Sequence, residues 1–318
     1  MIEEPTVFVL GAGASAVYGF PTGGKLRDEI VQGLLSGRDL RGARVADLSR
    51  VLQELGHSKE QIGRFAERPR LSAHPSVDVF LEHNPDCLPL GKRAIAITLM
   101  RYEQESQLFR NGLHWYRYVR GRLGATGEEV AQSNVVFVTF NYDRSLEHFL
   151  FQAIRHAEQD MTDDKARAVL QEVPVLHVYG QLAKLPWQEN ADSSNSRAYS
   201  SDRNPETVAK AADGIVIMRE RDQPSPGLVE ARQRIRDAKW VVFLGFGYYE
   251  ENLRRLGLDG CRDDVAVLGT TFGMGHGEYA QAHNLLEDLL PKGQDNVSAQ
   301  CKPEDSILTF FRERTLLT

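Results

Sequence analysis

Val7-Phe8-Val9-Leu10-Gly11-Ala12-Gly13-Ala14-Ser15-Ala16 is the stretch on which the reading of the whole chain turns. Its first residues are apolar and favour extended backbone without alternation, as expected of a strand covered on both faces. The chain then enters a tight turn and a helix start. Glycine suits such a turn for one of two reasons. A missing side chain lets a pyrophosphate approach amides that point outward from the helix start, with the Ser15 hydroxyl as a further donor. Alternatively, the glycines serve packing alone.

Further along, short apolar runs recur at Val135–Phe140, Val173–Tyr179, Gly214–Met218, Trp240–Phe246 and Val265–Leu268, most of them followed by helical patterns. This alternation predicts an α/β fold, a Rossmann-like parallel sheet with helices on both faces. More than 100 residues separate the first run from the second and carry no strand pattern. Val45, Leu48, Val51, Leu52 and Leu55 instead follow the helical rhythm. The expectation is a single domain over 1–318 with a helical insertion over 36–130. Glu189 to Asn204 reads as an exposed polar loop, and Glu304 to Leu317 as a closing helix docked through Ile307, Phe310 and Phe311.

The 318 residues are 42% hydrophobic and 26% charged, the composition of an ordinary globular protein. A formal charge of −6 argues against a broad nucleic-acid surface, and Arg232 to Arg236 reads as the solvated face of a helix. Cys87, Cys261 and Cys301 form no CxxC pair, so neither zinc nor another metal is expected. Met1-Ile2-Glu3-Glu4-Pro5 lacks the basic and apolar regions of a signal peptide, and no stretch approaches the roughly 18 apolar residues of a membrane span. The expectation is a cytoplasmic protein without membrane contact.

In open α/β sheets, ligands bind at the carboxyl ends of the strands. Thr139-Phe140-Asn141-Tyr142-Asp143 lies at such an end. Asn141 carries both a donor and an acceptor, suited to ribose hydroxyls or an attacking water. Asp143 fits either a ligand contact or the cap of the following helix. Gly245-Phe246-Gly247-Tyr248 repeats the strand-to-helix turn, and its aromatics, with Tyr249, suit base stacking or packing. Thr270, after the next strand, is a further wall. A dehydrogenase fingerprint would place an acidic residue about 20 positions beyond the first turn, at the end of a second strand. Here Gly19-Phe20-Pro21-Thr22-Gly23-Gly24 leads into an amphipathic helix, which disfavours that class.

Gly11-Ala12-Gly13-Ala14-Ser15, Gly19-Phe20-Pro21-Thr22-Gly23, Thr139 to Asp143, His177-Val178-Tyr179-Gly180 and Phe243-Leu244-Gly245-Phe246-Gly247-Tyr248 together resemble the ordered motifs of the SIR2-like family. Ser76-Val77-Asp78-Val79-Phe80-Leu81 resembles its helical segment. The resemblance covers nearly the whole chain and rests on the order and spacing of weak motifs. It implies an NAD-binding domain with a helical subdomain. Gly11, Ala12, Gly13, Ser15, Pro21, Thr22, Thr139, Asn141 and Asp143 would then contact NAD, with Tyr179, Gly180, Gly245, Phe246, Gly247, Tyr248 and Thr270 on the other strand ends.

Many bacterial members deplete NAD in antiphage defence, whereas classical sirtuins use it to deacylate lysine and carry a zinc module with two CxxC pairs. The lack of such pairs here favours hydrolysis of the nicotinamide–ribose bond. Family members commonly carry a catalytic His directly before the Gly of the third motif. This chain has Tyr179 there, with His177 two residues earlier and so about 7 Å away on the same strand face. His177 is expected as a general base beside Asn141, and Tyr179 as a hydrogen-bond donor or stacking partner. The alternative is a regulatory NAD-binding module that has lost catalysis. The resemblance also implies a homo-oligomer or a controlling partner protein, for example an ATPase.

Overall fold

The computed structural model describes residues 1–43, 45, 47–217, 223–291, 297–298 and 306–313. Strands β1 (Thr6–Leu10), β2 (Val135–Thr139), β3 (Val175–His177), β4 (Trp240–Leu244), β5 (Ala266–Gly269) and β6 (Val297–Ser298) form one sheet in the order β3-β2-β1-β4-β5-β6. All neighbours pair in parallel, so each connection must cross over the sheet, and helices supply the crossovers. The fold is therefore the Rossmann-like α/β class that the apolar runs predict. Strand order reverses between β1 and β4, whose carboxyl ends flank the crevice where such sheets take ligands.

The unbroken apolar strands are explained by burial on both faces. Phe8, Leu10, Phe137 and Leu244 enter a core shared with the helices between β1 and β2. Val7, Val9, Val138, Val241 and Phe243 enter a second core under the helices Pro226–Asp237 and His276–Leu289. Between β1 and β2 the described chain is helical from Gly23 to Gln132 and adds no strand to the sheet, so the expected bounds 36–130 fall inside a longer helical stretch. The helix Ile307–Glu313 docks as expected, with Phe311 against Phe8 at 5.8 Å and against Tyr118 at 5.6 Å. The rest of the expected tail helix lies outside the described residues.

Two expectations need correction. No strand of the sheet forms over the described part of Gly214–Met218, and Met218 lies outside the described residues. Ile215 instead makes an isolated antiparallel bridge with Gly180, and Val216 N–H donates to Tyr179 O at 2.9 Å. The run is apolar because Ile215 and Ile217 are buried beneath this cap. The β3 run is also trimmed to Val175–His177. No helix among the described residues is long and apolar enough to cross a membrane.

Candidate functional site at the carboxyl ends of the strands

The two glycine turns meet backbone to backbone. Gly11 N–H donates to Leu244 O at 3.0 Å and Gly13 N–H to Gly245 O at 2.9 Å, while Gly245 N–H donates to Thr270 Oγ1 at 2.8 Å. A Cβ on Gly11 would stand 2.5 Å from Gly245 O, and one on Gly13 would stand 2.8 Å from Gly245 Cα. Gly245 itself sits at φ +57, where an added Cβ would run into Ala14 N. The glycines are thus required by the contact between the β1 and β4 turns. The expected outward amides of Gly11, Gly13 and Gly245 are already engaged inside the protein, so these residues join the two turns into a common floor and supply no N–H donor to a ligand. Ala12 is half-buried at the start of a helix of five residues, Ala12–Ala16.

Beside this floor lies a buried polar network. Ser15 Oγ donates to Asp143 Oδ2 at 2.7 Å, so the hydroxyl expected to face a ligand points inward. Asp143 Oδ1 accepts from Ser145 N at 3.1 Å and from the Ser145 hydroxyl. Asp143 therefore braces the start of the helix Ser145–Arg155, although Arg144 is the formal cap residue, and ties it to the β1 turn. Burial pushes the Asp143 carboxyl above its ordinary range against the lowering pull of the Ser145 and Ser15 hydrogen bonds. Asn141 Nδ2 donates to Gly11 O at 2.9 Å and to Ser15 Oγ at 3.2 Å, and Asn141 N donates to Thr139 Oγ1 at 3.1 Å. With both amide hydrogens engaged, Asn141 Oδ1 is left without a partner among the described residues.

His177 is held at both ring nitrogens. Nδ1 lies 2.9 Å from Asn141 O, and Nε2 lies 2.7 Å from Glu147 Oε1. A carbonyl and a carboxylate both accept, so each ring nitrogen carries a hydrogen and the side chain is an imidazolium. Burial opposes that charge, but the adjacent Glu147 carboxylate and the Asn141 carbonyl outweigh it and raise the His177 pKa. Both ring nitrogens of His177 are thus engaged in this structure, and the contact of Nδ1 with Asn141 O fixes the backbone at the end of β2.

Tyr179 departs from His177 instead of sharing its surroundings. Its hydroxyl donates to Asn252 Oδ1 at 2.7 Å, its ring meets Phe140 edge-on at 5.6 Å, and the Arg255 guanidinium lies 5.8 Å above it. Burial raises the Tyr179 pKa, which keeps the phenol protonated. The chain turns away at Gly180, where a Cβ would collide with Gly214 O. Phe246 and Tyr248 are buried in a ring cluster with Phe243 at 5.2 and 5.6 Å, so packing accounts for both. Tyr248 OH also donates to Thr270 O at 3.1 Å. Gly247 is exposed. Pro21 is buried and Thr22 caps the helix Gly23–Ser36, and no described hydrogen bond joins either to Asn141 or His177.

Several supporting residues escape a reading of the sequence. Arg144, wholly buried, forks onto Glu103 at 2.9 and 2.7 Å and donates to Arg197 O at 2.9 Å, while Arg197 Nη1 reaches the same carboxylate at 2.5 Å. The polar stretch Glu189 to Asn204 is therefore a surface loop only in part, because Arg197 is buried and anchors it. From the helical region, Asp78 accepts from Tyr142 OH at 2.6 Å, Trp115 Nε1 donates to Ala14 O at 2.9 Å, and Tyr116 OH lies 2.7 Å from Ser145 Oγ. The one available signal was Asp143-Arg144, two charges at the end of a buried strand. A groove of about 760 Å³ runs beside β3, with His177, Glu147 and Trp187 among its walls. Cys87 and Cys261 are free and buried, and Cys301 lies outside the described residues.

No protein-family model matches the chain, and no curated protein does. Among solved structures, one described as a mutant Sir2 homologue in complex with 2'-O-acetyl ADP ribose is similar over 89% of this chain and 89% of its own, at 14% identity and a TM-score of 0.42.

Proposed function

We propose that the chain binds NAD across the crevice between β1 and β4 and hydrolyses its nicotinamide–ribose bond. The observation that carries this reading is Asn141. Its amide hydrogens and its backbone are held from three sides, and its unpartnered Oδ1 stands at the carboxyl end of β2. An oxygen fixed in this way can accept from a ribose hydroxyl or from the attacking water. The bond to nicotinamide breaks as a cationic ribosyl centre develops, and water adds to that carbon. Nicotinamide, ADP-ribose and a proton are the products. Positioning and electrostatics supply most of the rate in such a scheme. His177 is a positioning residue, and the Thr139 and Asp143 side chains complete the support of Asn141 and Ser15. NAD depletion in antiphage defence, held in check by self-assembly or by a partner such as an ATPase, is the setting that the family resemblance implies.

A second reading is favoured by the engagement of both His177 nitrogens and of the Tyr179 hydroxyl: a regulatory module that binds NAD without consuming it. Purified protein, alone and with any partner encoded beside it, is incubated with NAD while nicotinamide release is followed. Release supports hydrolysis. Saturable NAD binding with no release under either condition would establish the module, and absence of NAD binding would remove both readings.

A further inference from the structure

β3 ends the sheet: one edge pairs with β2, and no strand among the described residues lies along the other. Phe137 N–H donates to Pro174 O and Val178 N–H to Thr139 O, both at 2.9 Å, with Leu176 opposite Val138 between them. Main-chain groups of successive strand residues point to opposite edges, so those of Val175 and His177 turn away from β2. No hydrogen bond among the described residues engages them. His177 is half-buried as a residue while its side chain is only 7% exposed, so its main chain meets solvent.

This open edge is the floor of the groove of about 760 Å³. The helix Asp163–Glu172 packs on one face of the sheet through Leu170 and lines the groove with Arg167 and Gln171. The helix Pro226–Asp237 packs on the other face through Leu228 and lines it with Gly227 and Glu230. A Cβ on Gly227 would stand 2.8 Å from His177 O, so the glycine leaves that carbonyl room. The floor from Val173 to His177 is about 16 Å long, enough for about five extended residues. The charged walls balance: Arg167, Lys184 and Lys210 stand against Glu189, Asp213 and Glu230, and Glu147 neutralises His177.

We propose that the slot takes an extended, electrically neutral segment of another protein, which adds a strand to the sheet beside β3. Unpaired main-chain donors and acceptors in register select another strand. The balance of charge disfavours a polyanion, and the flanking helices hold off a second copy of this chain, whose own β3 is recessed in the same way. A strand bonded to His177 would steady the residue that holds Asn141 O, giving a partner a handle on the reacting end. That consequence rests on the NAD reading, whereas the binding does not.

Random heptapeptides displayed on phage are selected against the full chain, and those enriched are synthesised and titrated in the absence of NAD. They are expected to slow hydrogen exchange at the Val175 and His177 amides. Against Val175→Pro they should bind about ten-fold more weakly, because proline blocks the open edge while removing no bond to β2. N-methylating alternate residues of the peptide should abolish binding in one phase and spare it in the other, a measurement that leaves the protein unaltered. Equal affinity for parent and Val175→Pro, indifference to N-methylation in both phases, protection only at other amides, or an empty selection would each overturn the slot. So would a dimer of the parent chain that Val175→Pro dissolves, since the occupant would then be a second copy. With no NAD present, failure here and failure of the hydrolase reading are separate outcomes.

Discussion

The two sides of the crevice are built on opposite principles. On the β2 side, polar groups engage one another around Asn141 and leave its Oδ1 open, and the helical region braces them through Asp78, Glu103, Trp115 and Tyr116. On the β4–β5 side, glycines and buried aromatics make the turn. The first side is organised to fix an atom and the second to pack one turn against another. Chemistry at a bond needs the former.

The contrast can be broken hardest at the buried ion cluster. Glu103→Ala leaves Arg144 and Arg197 buried without their shared carboxylate, and urea unfolding should show a loss of about 3–5 kcal/mol. Gly245→Ala forces a side chain into the Gly13–Ala14 backbone at a positive φ. It should lower stability by about 2–3 kcal/mol, read from the same unfolding curve. Asn141→Ala is expected to reduce nicotinamide release on the order of 100-fold while the chain stays folded by circular dichroism. A variant with unimpaired release would take the reacting end away from the β2 side.

The mildest test concerns pH. His177 has a pKa raised above its unfolded value, so its contribution to stability is complete below the ordinary histidine range and is lost as pH rises through the raised value. Thermal unfolding of the parent chain should therefore fall on going from pH 6 towards the alkaline side, and Glu147→Gln should flatten that slope. An unchanged slope in Glu147→Gln would remove the imidazolium from the account of Asn141.

The strands were legible because burial on both faces leaves unbroken apolar runs, and strand ends point to the site. The apolar run at Gly214 misled because a capping bridge buries Ile215 and Ile217 as thoroughly as a strand would. The glycine turns were ambiguous for a physical reason: close approach of a phosphate and close approach of another backbone demand the same residue. Glu147 and Glu103 were illegible because a charge on a helix or its flank usually faces water. Their partners lie 30 and 41 positions away along the chain. His177 was placed at the site by its sequence context, but its protonation state depends on Glu147, which that context does not reveal.

The central place of β1 has a consequence in time. Thr6 pairs with Val135 on one side and with Trp240 on the other. During synthesis, this apolar strand must wait until β4 has been made before both of its edges are covered. Such long-range pairing is slow to form and leaves unpaired edges open to other chains. The nascent protein is therefore most vulnerable to aggregation before β4 emerges, and a chaperone that shelters the first strand until then would act where the fold needs it most.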